Sequence, residues 1–250
     1  MMLWYKAWRE SRAAFLICTS VLTAMCIAVV LLEPTLRGLF RTQGSGLDTY
    51  EQYVYKLIYS GSARGLYSIF AIVLGLGGLQ RERAQNSAGF TLALPVGRSQ
   101  LVTVRAVAGL AQILALSVVP VILIPSLSVM VNQSYPISQA LGFSVLWITC
   151  GSVIFSAAFL ASTIFSGEYT ALTVTFVAYV FSTGLAVIPG FNGYPLQINH
   201  IMSGYNMAYF NSQTGMLIDP LPWTILIGLA MVASAFIATA ARITLARDFS

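Results

Sequence analysis

Long apolar runs alternate with short polar stretches along the whole chain. Each run approaches or exceeds the roughly 20 residues a helix needs to cross a bilayer. The first, residues 13–32, carries no charge. A cleavable signal has an apolar region of about 7–15 residues, so this longer run reads as a retained anchor. Residues 1–12 ahead of it mix Trp4, Tyr5 and Trp8 with Lys6, Arg9 and Arg12. That mixture predicts an amphipathic helix lying in the headgroup layer. Further spans are expected over 58–79, 101–125, 137–165, 169–188 and 221–241, which makes six in all. The chain is therefore expected to be all-α: one transmembrane domain over 1–250.

Polar punctuation separates these runs. Residues 33–61 hold Pro34 and Gly44-Ser45-Gly46, then a tyrosine-rich stretch, 49–59, that suits an interfacial helix. The second span is awkward because 65–79 alone would be only about 22 Å long, and extending it back to Ile58 takes in Arg64. Two readings are open for Arg64: it snorkels outward, or it faces a watery cavity. Pro120 and Pro125 fall near the outer end of the third span and should bend it. Arg105 lies one turn inside that span and can reach back to its start. Ser166-Gly167-Glu168 makes a tight turn. Residues 189–220 form a long outer segment in which Ile198, Ile201, Met202, Tyr205 and Tyr209 recur at helical spacing. Part of it reads as a helix dipping into the membrane.

Composition agrees with this pattern. The chain has 250 residues, of which 57% are hydrophobic and 8% charged, and the net charge is +5. A soluble domain carries about 25% charged residues; this chain has too few to solvate a globular surface. The basic excess does not indicate nucleic acid, because no basic run exists and the cations sit at the ends of apolar segments. They serve better as a topology signal. In the six-span arrangement the side with the termini holds Lys6, Arg9, Arg12, Arg81, Arg83, Arg98, Arg105, Arg242 and Arg247. The other side holds Arg37, Arg41, Lys56 and Arg64. Nine against four puts both termini in the cytoplasm. Cys18, Cys26 and Cys150 lie within apolar runs and are not a disulfide framework.

Catalytic chemistry finds little support. His200 is the single histidine, and neither Glu51 nor Asp219 is tied to it by spacing. No HExxH, CxxC or phosphate loop GxxxxGK[ST] occurs. No metal site is expected. Asn132-Gln133-Ser134 matches a glycosylation acceptor, but so short a match says little. Gly75, Gly77 and Gly78 precede no βα pattern and are read as sites of close helix contact, as are Gly61 and Gly65 more weakly. No Asp or Glu lies inside a span; a buried carboxylate relay is therefore not expected.

The segment 80–98, QRERAQNSAGFTLALPVGR, is the polar stretch with most to say. As a helix it puts Ala84, Ala88, Thr91 and Leu92 on one side and Arg81, Gln85 and Asn86 elsewhere. Pro95 ends it. Such a segment, fused to a span at each end, is either a well-anchored loop or a lever that moves both spans.

The pattern Arg81-Glu82-Arg83, then Gly89-Phe90-Thr91-Leu92-Ala93-Leu94-Pro95-Val96, then Gly97-Arg98-Ser99-Gln100-Leu101 resembles the permease subunits of ABC-type exporters of the ABCG-like class. Glu82 and the Leu94-Pro95-Val96-x-Arg98 end carry the resemblance best. Gly97, where Ser is common, and Asn86-Ser87, where Gly-Thr is frequent, bear on the subfamily. The resemblance implies half of a translocation pore in the inner (plasma) membrane of a bacterium, paired with a second permease chain, identical or sister. Two copies of a separate ABC ATPase would bind ATP and Mg, with no cofactor in this chain. The resemblance maps a coupling helix onto 80–98. Arg81, Glu82, Arg83 and Arg98 would lie at or near the ATPase contact. Phe90 and Leu94 would hold the helix to the permease, Pro95 would end it, and Glu168 would make a smaller second contact.

Tyr67, Phe70, Thr173, Phe176 and Tyr179 are candidates for the substrate pathway, and all are equally plausible as packing residues. Being apolar, aromatic or hydroxylic, they suit a hydrophobic or amphipathic cargo such as a drug, lipid or peptide. Two rival readings are a membrane anchor without ATPase linkage and an intramembrane enzyme. The scarcity of polar groups in the spans weighs against the enzyme.

Overall fold

The computed structural model describes residues 2–42, 49–76, 98–165, 168–185, 197–204, 210–211, 214–218 and 221–246. Within them the chain is a bundle of helices. In order these are α1 (Met2–Leu31), α2 (Glu33–Thr42), α3 (Tyr50–Val54), α4 (Ser62–Gly75), α5 (Arg98–Ser128), α6 (Ile137–Ile164), α7 (Glu168–Leu185), α8 (Ile198–Ser203) and α9 (Trp223–Ala246). A two-stranded antiparallel hairpin, β1 (Phe210–Asn211) and β2 (Met216–Leu217), interrupts the helical pattern between α8 and α9. Its turn uses Gly215 at φ +71°, a left-handed position that glycine takes without strain. Periodicity carries no strand signal there, because each strand is only two residues long.

Five helical segments among the described residues are long and apolar enough to cross a membrane: Leu3–Leu31, Tyr50–Gly75, Gln100–Val131, Ile137–Ile164 and Trp223–Ala246. The 18 residues of α7 cover most of the expected fifth span. Two expectations need adjusting. The first twelve residues are not a separate headgroup helix: α1 runs unbroken through Arg12, since nothing between residues 9 and 16 is a helix breaker. The tyrosine stretch is not a surface helix either. It begins with a capping box, in which the Thr49 hydroxyl accepts from the Gln52 N–H and the Gln52 side chain accepts from the Thr49 N–H. It then continues through a π-helical turn, Tyr55–Tyr59, into the second span. The second span thus starts about two turns earlier than Ile58.

α6 is the axis of the bundle, packing against α9, α5, α4, α7 and α8. Fifteen of its 28 residues are buried, among them Phe143, Trp147, Cys150, Gly151 and Phe155. Close approach comes from small residues, as it does in membrane bundles generally. A Cβ on Gly75 of α4 would sit 2.6 Å from the Phe155 carbonyl oxygen and 2.7 Å from Ala158 Cβ, and one on Gly109 of α5 would fall on the Phe155 ring. Gly75 is therefore a helix-contact glycine, as expected. Gly65 meets nothing within 4 Å, so the Gly61/Gly65 pair makes no helix contact among the described residues.

The two ends of the bundle differ. One, the basic end, gathers the start of α1, the end of α4 and the start of α5. The other is tyrosine-rich. There Tyr53 donates to the Val29 carbonyl at 2.7 Å. Ser128 donates to the Ile124 carbonyl, leaving Tyr50 as donor in its 2.7 Å bond to Ser128. Tyr59 stacks on Phe143 with ring centroids 4.1 Å apart and lies 5.8 Å from Trp147. Asn132 takes a left-handed φ of 54° to end the turn after α5, a structural use for a residue of the glycosylation-like triplet. α5 itself continues past both Pro120 and Pro125.

Candidate functional site

Arg81, Glu82, Arg83, Phe90, Leu94 and Pro95 lie outside the described residues, as does most of the segment 80–98. Arg98 opens α5 and Glu168 opens α7, with their side chains likewise outside the description. What is described is the frame that holds the segment. α4 ends at Gly75 and α5 begins at Arg98, and both helices pack on α6 through the glycine contacts given above. Contacts that involve backbone have little side-chain slack, so displacement of either helix is felt by α6.

Beside this frame, α1 docks on α5 through polar groups. Arg105 Nη2 lies 3.1 Å from Glu10 Oε2, and Lys6 Nζ lies 3.7 Å from Glu10 Oε1. About two turns further along α5, Gln112 Nε2 donates to Ser11 Oγ at 2.6 Å. Arg105 thus does not reach back alone to the start of its span; its charge is met by α1. The sequence signal was present, an acid in the first helix and a base one turn into the third span on the same side. A cleft opens between these helices, with Glu10, Ser11, Arg105 and Gln112 on its polar wall and Leu74, Phe155 and Phe159 on its apolar wall. Its empty volume is about 380 Å³ including the open mouth.

The five pathway candidates separate. Tyr67 is wholly buried, its hydroxyl donating to the carbonyls of Trp147 at 3.1 Å and Ile113 at 3.3 Å. Its ring rests on Trp147, 4.9 Å between centroids. Phe70 is buried beside it. Neither offers surface to a cargo in this conformation. Thr173 and Phe176 are exposed on α7. Tyr179, also on α7, is half-buried and points to a third group of residues.

That group sits near the tyrosine end, around the short helix α8. Tyr179 donates to Asn199 Oδ1 at 2.8 Å, and Asn199 Nδ2 donates to Thr183 Oγ1 at 2.5 Å. Arg64 Nη1 donates to the Asn199 carbonyl at 2.8 Å. Arg64 therefore ends on protein, bonded to the backbone of α8. Ser68, one turn after Arg64, touches Met202 Sδ at 3.7 Å. His200 next door is held below its ordinary pKa by burial, then by the charge of Arg64, so it is neutral at pH 7. Sequence reading missed Asn199. The available clue was an amide and an imidazole adjacent in an otherwise apolar helical turn. Among the described residues no group of three or more His, Cys, Asp or Glu could hold a metal ion.

No curated protein matches the chain. A family model described as ABC-2 family transporter protein matches residues 14–204, from the first span through α8 and across the segment 80–98. The match covers most of the bundle and agrees with its several apolar helices. The chain belongs to the ABC-2 family of transporter proteins and is a multi-pass transmembrane permease, a component of membrane transport rather than a catalyst.

Proposed function

We propose that this permease forms half of the translocation pathway of an ATP-driven exporter, worked by a separate ATPase docked on residues 80–98. The observation that carries this reading is the family match, which spans the segment and the helices on both sides of it. No phosphate loop occurs in these 250 residues, and in this reading a separate ATPase supplies the energy. α4 and α5 both pack on α6, which gives a push on the segment a mechanical route into the bundle. ATP binding by the partner would bias a two-state equilibrium of the spans. In this reading the basic end lies in the cytoplasm, in line with the excess of Lys and Arg there. Two ATPase copies and a second permease chain, identical or sister, complete the particle. The exposed apolar and hydroxylic side chains of α7 suit a hydrophobic or amphipathic cargo.

The test is charge reversal at the segment, Glu82→Lys with Arg83→Glu, in the chain coexpressed with an ABC ATPase that copurifies with the unaltered permease. Copurification and permease-stimulated ATP hydrolysis should both be lost while the permease still elutes as a folded particle. Full retention of the ATPase and its activity would refute docking at this segment.

A further inference from the structure

We propose that α7 is the span that moves, and that Asn199 is the pin holding its outer end between movements. The reason for movement rests on the transporter reading; the pin does not.

The hold of α7 on the bundle is narrow. Of its described side chains only Ala171 and Thr175 are buried, with Tyr179 and Thr183 half-buried, one every four residues on a single stripe. Ala171 and Thr175 are small, with little relief to lock against a neighbour. The Thr175 hydroxyl donates within α7, to the Ala171 carbonyl at 2.8 Å, rather than across to a neighbour. Near the tyrosine end the attachment changes character. Asn199 is 7% exposed, and its side-chain amide is used in both directions toward α7, accepting from Tyr179 and donating to Thr183. Its backbone carbonyl simultaneously holds Arg64 of α4. One residue on α8 therefore joins two spans. Hydrogen bonds in an apolar setting are directional and short in range. They hold fully or release, which is the behaviour of a catch. At the other end α7 begins only four positions after α6 ends, at Glu168 and Ile164, so the freedom of α7 lies at the Asn199 end.

The experiment uses the full chain in lipid nanodiscs, with buried Cys18, Cys26 and Cys150 replaced by alanine and spin labels at Ser182→Cys on α7 and Leu141→Cys on α6. Pulsed EPR should give one narrow distance. With Asn199→Ala a second, longer distance should grow on the order of tenfold in population, as loss of one or two hydrogen bonds does to a two-state equilibrium. Tyr179→Phe with Thr183→Val removes only the α7 side of the catch and should have a similar effect, which covers the case in which Asn199→Ala fails to fold. An unchanged distance distribution in the folded variants overturns the pin. Adding the ATPase and ATP to the otherwise native labelled chain should raise the same long distance. If the variants broaden the distribution and ATP does nothing, the pin stands and α7 is not the span that ATP moves.

Discussion

Two consecutive helices, α6 and α7, follow one another in the sequence and are both expected from it as spans, yet they hold opposite places. α6 buries 15 residues and touches almost every other span. α7 buries two of its described side chains and shows Leu172, Val174, Phe176, Val177, Val180 and Phe181 at its surface. In a bilayer, an apolar side chain is as content against lipid as against protein, so hydrophobicity cannot choose between them. What distinguishes α6 is relief. Gly151 makes a hollow that the Tyr67 ring fills, and Ala158 lets Gly75 of α4 come close. Ser144 also donates to the Ser117 carbonyl of α5 at 2.8 Å. α7 has Ala171 and Thr175 on one stripe and no comparable set of hollows among its described contacts.

The largest effect expected from this contrast is at Trp147, which is fully buried between Tyr59 and Tyr67. Trp147→Ala should cost about 3–5 kcal/mol, the range for deleting a large aromatic from a packed site. Phe181 on α7 is 65% exposed, and Phe181→Ala should stay within about 0.5 kcal/mol. Thermal unfolding of the detergent-solubilised chain, followed by tryptophan fluorescence for Phe181→Ala and by size-exclusion survival for both, measures the difference. Equal losses would mean that α7 is packed in solution as tightly as α6.

The layout of spans was legible because their cause, continuous apolar length, is local. Runs such as 137–165 and 221–241 could be placed within a few residues of α6 and α9. What was not legible depends on partners far away in sequence. The tyrosine stretch 49–59 looks interfacial until Val29 and Ser128 supply acceptors for Tyr53 and Tyr50. Residues 1–12 look like a headgroup helix until Glu10 and Ser11 find Arg105 and Gln112. Tyr67 and Tyr179, grouped together as pathway candidates, have the same chemistry. Only the fold shows that one is sunk under Trp147 and the other bonded to Asn199. Asn199 itself gave no periodic signal, because a helix of six residues has no face to read.

A smaller effect, and a sharper one, comes from adding a single methyl group to each helix. On Gly151 the new Cβ would meet Tyr67 Oη at 2.6 Å and Cε1 at 2.7 Å. Tyr67 is held by two carbonyls and cannot easily move aside. Gly151→Ala should therefore lose about 1–3 kcal/mol to overpacking, set against a gain of up to about 1 kcal/mol in helix propensity. On Gly184 of α7 the Cβ meets nothing within 4 Å, so Gly184→Ala keeps the propensity gain and should be neutral or slightly stabilising. The same chemical change then has opposite signs on the two helices. Loss of stability at Gly184 would show that a second chain occupies that face of α7 in solution.

The smallest expected effect separates core from pathway. Tyr67→Phe removes a hydroxyl and keeps the ring on Trp147. The two carbonyls it serves lie within α5 and α6 and keep their helical partners, so the cost should be about 1 kcal/mol. Transport by the assembled particle should be nearly unchanged, because Tyr67 has no exposed surface. Phe176→Ala on α7 should do the reverse. Its ring is 44% exposed, so stability should move by less than about 0.5 kcal/mol, while efflux of an amphipathic dye should fall if the cargo passes along α7. Measuring melting and efflux on both variants turns the contrast between α6 and α7 into a test of where the cargo travels. A Tyr67→Phe permease that melts normally and fails to transport would place the route through the α6 core instead.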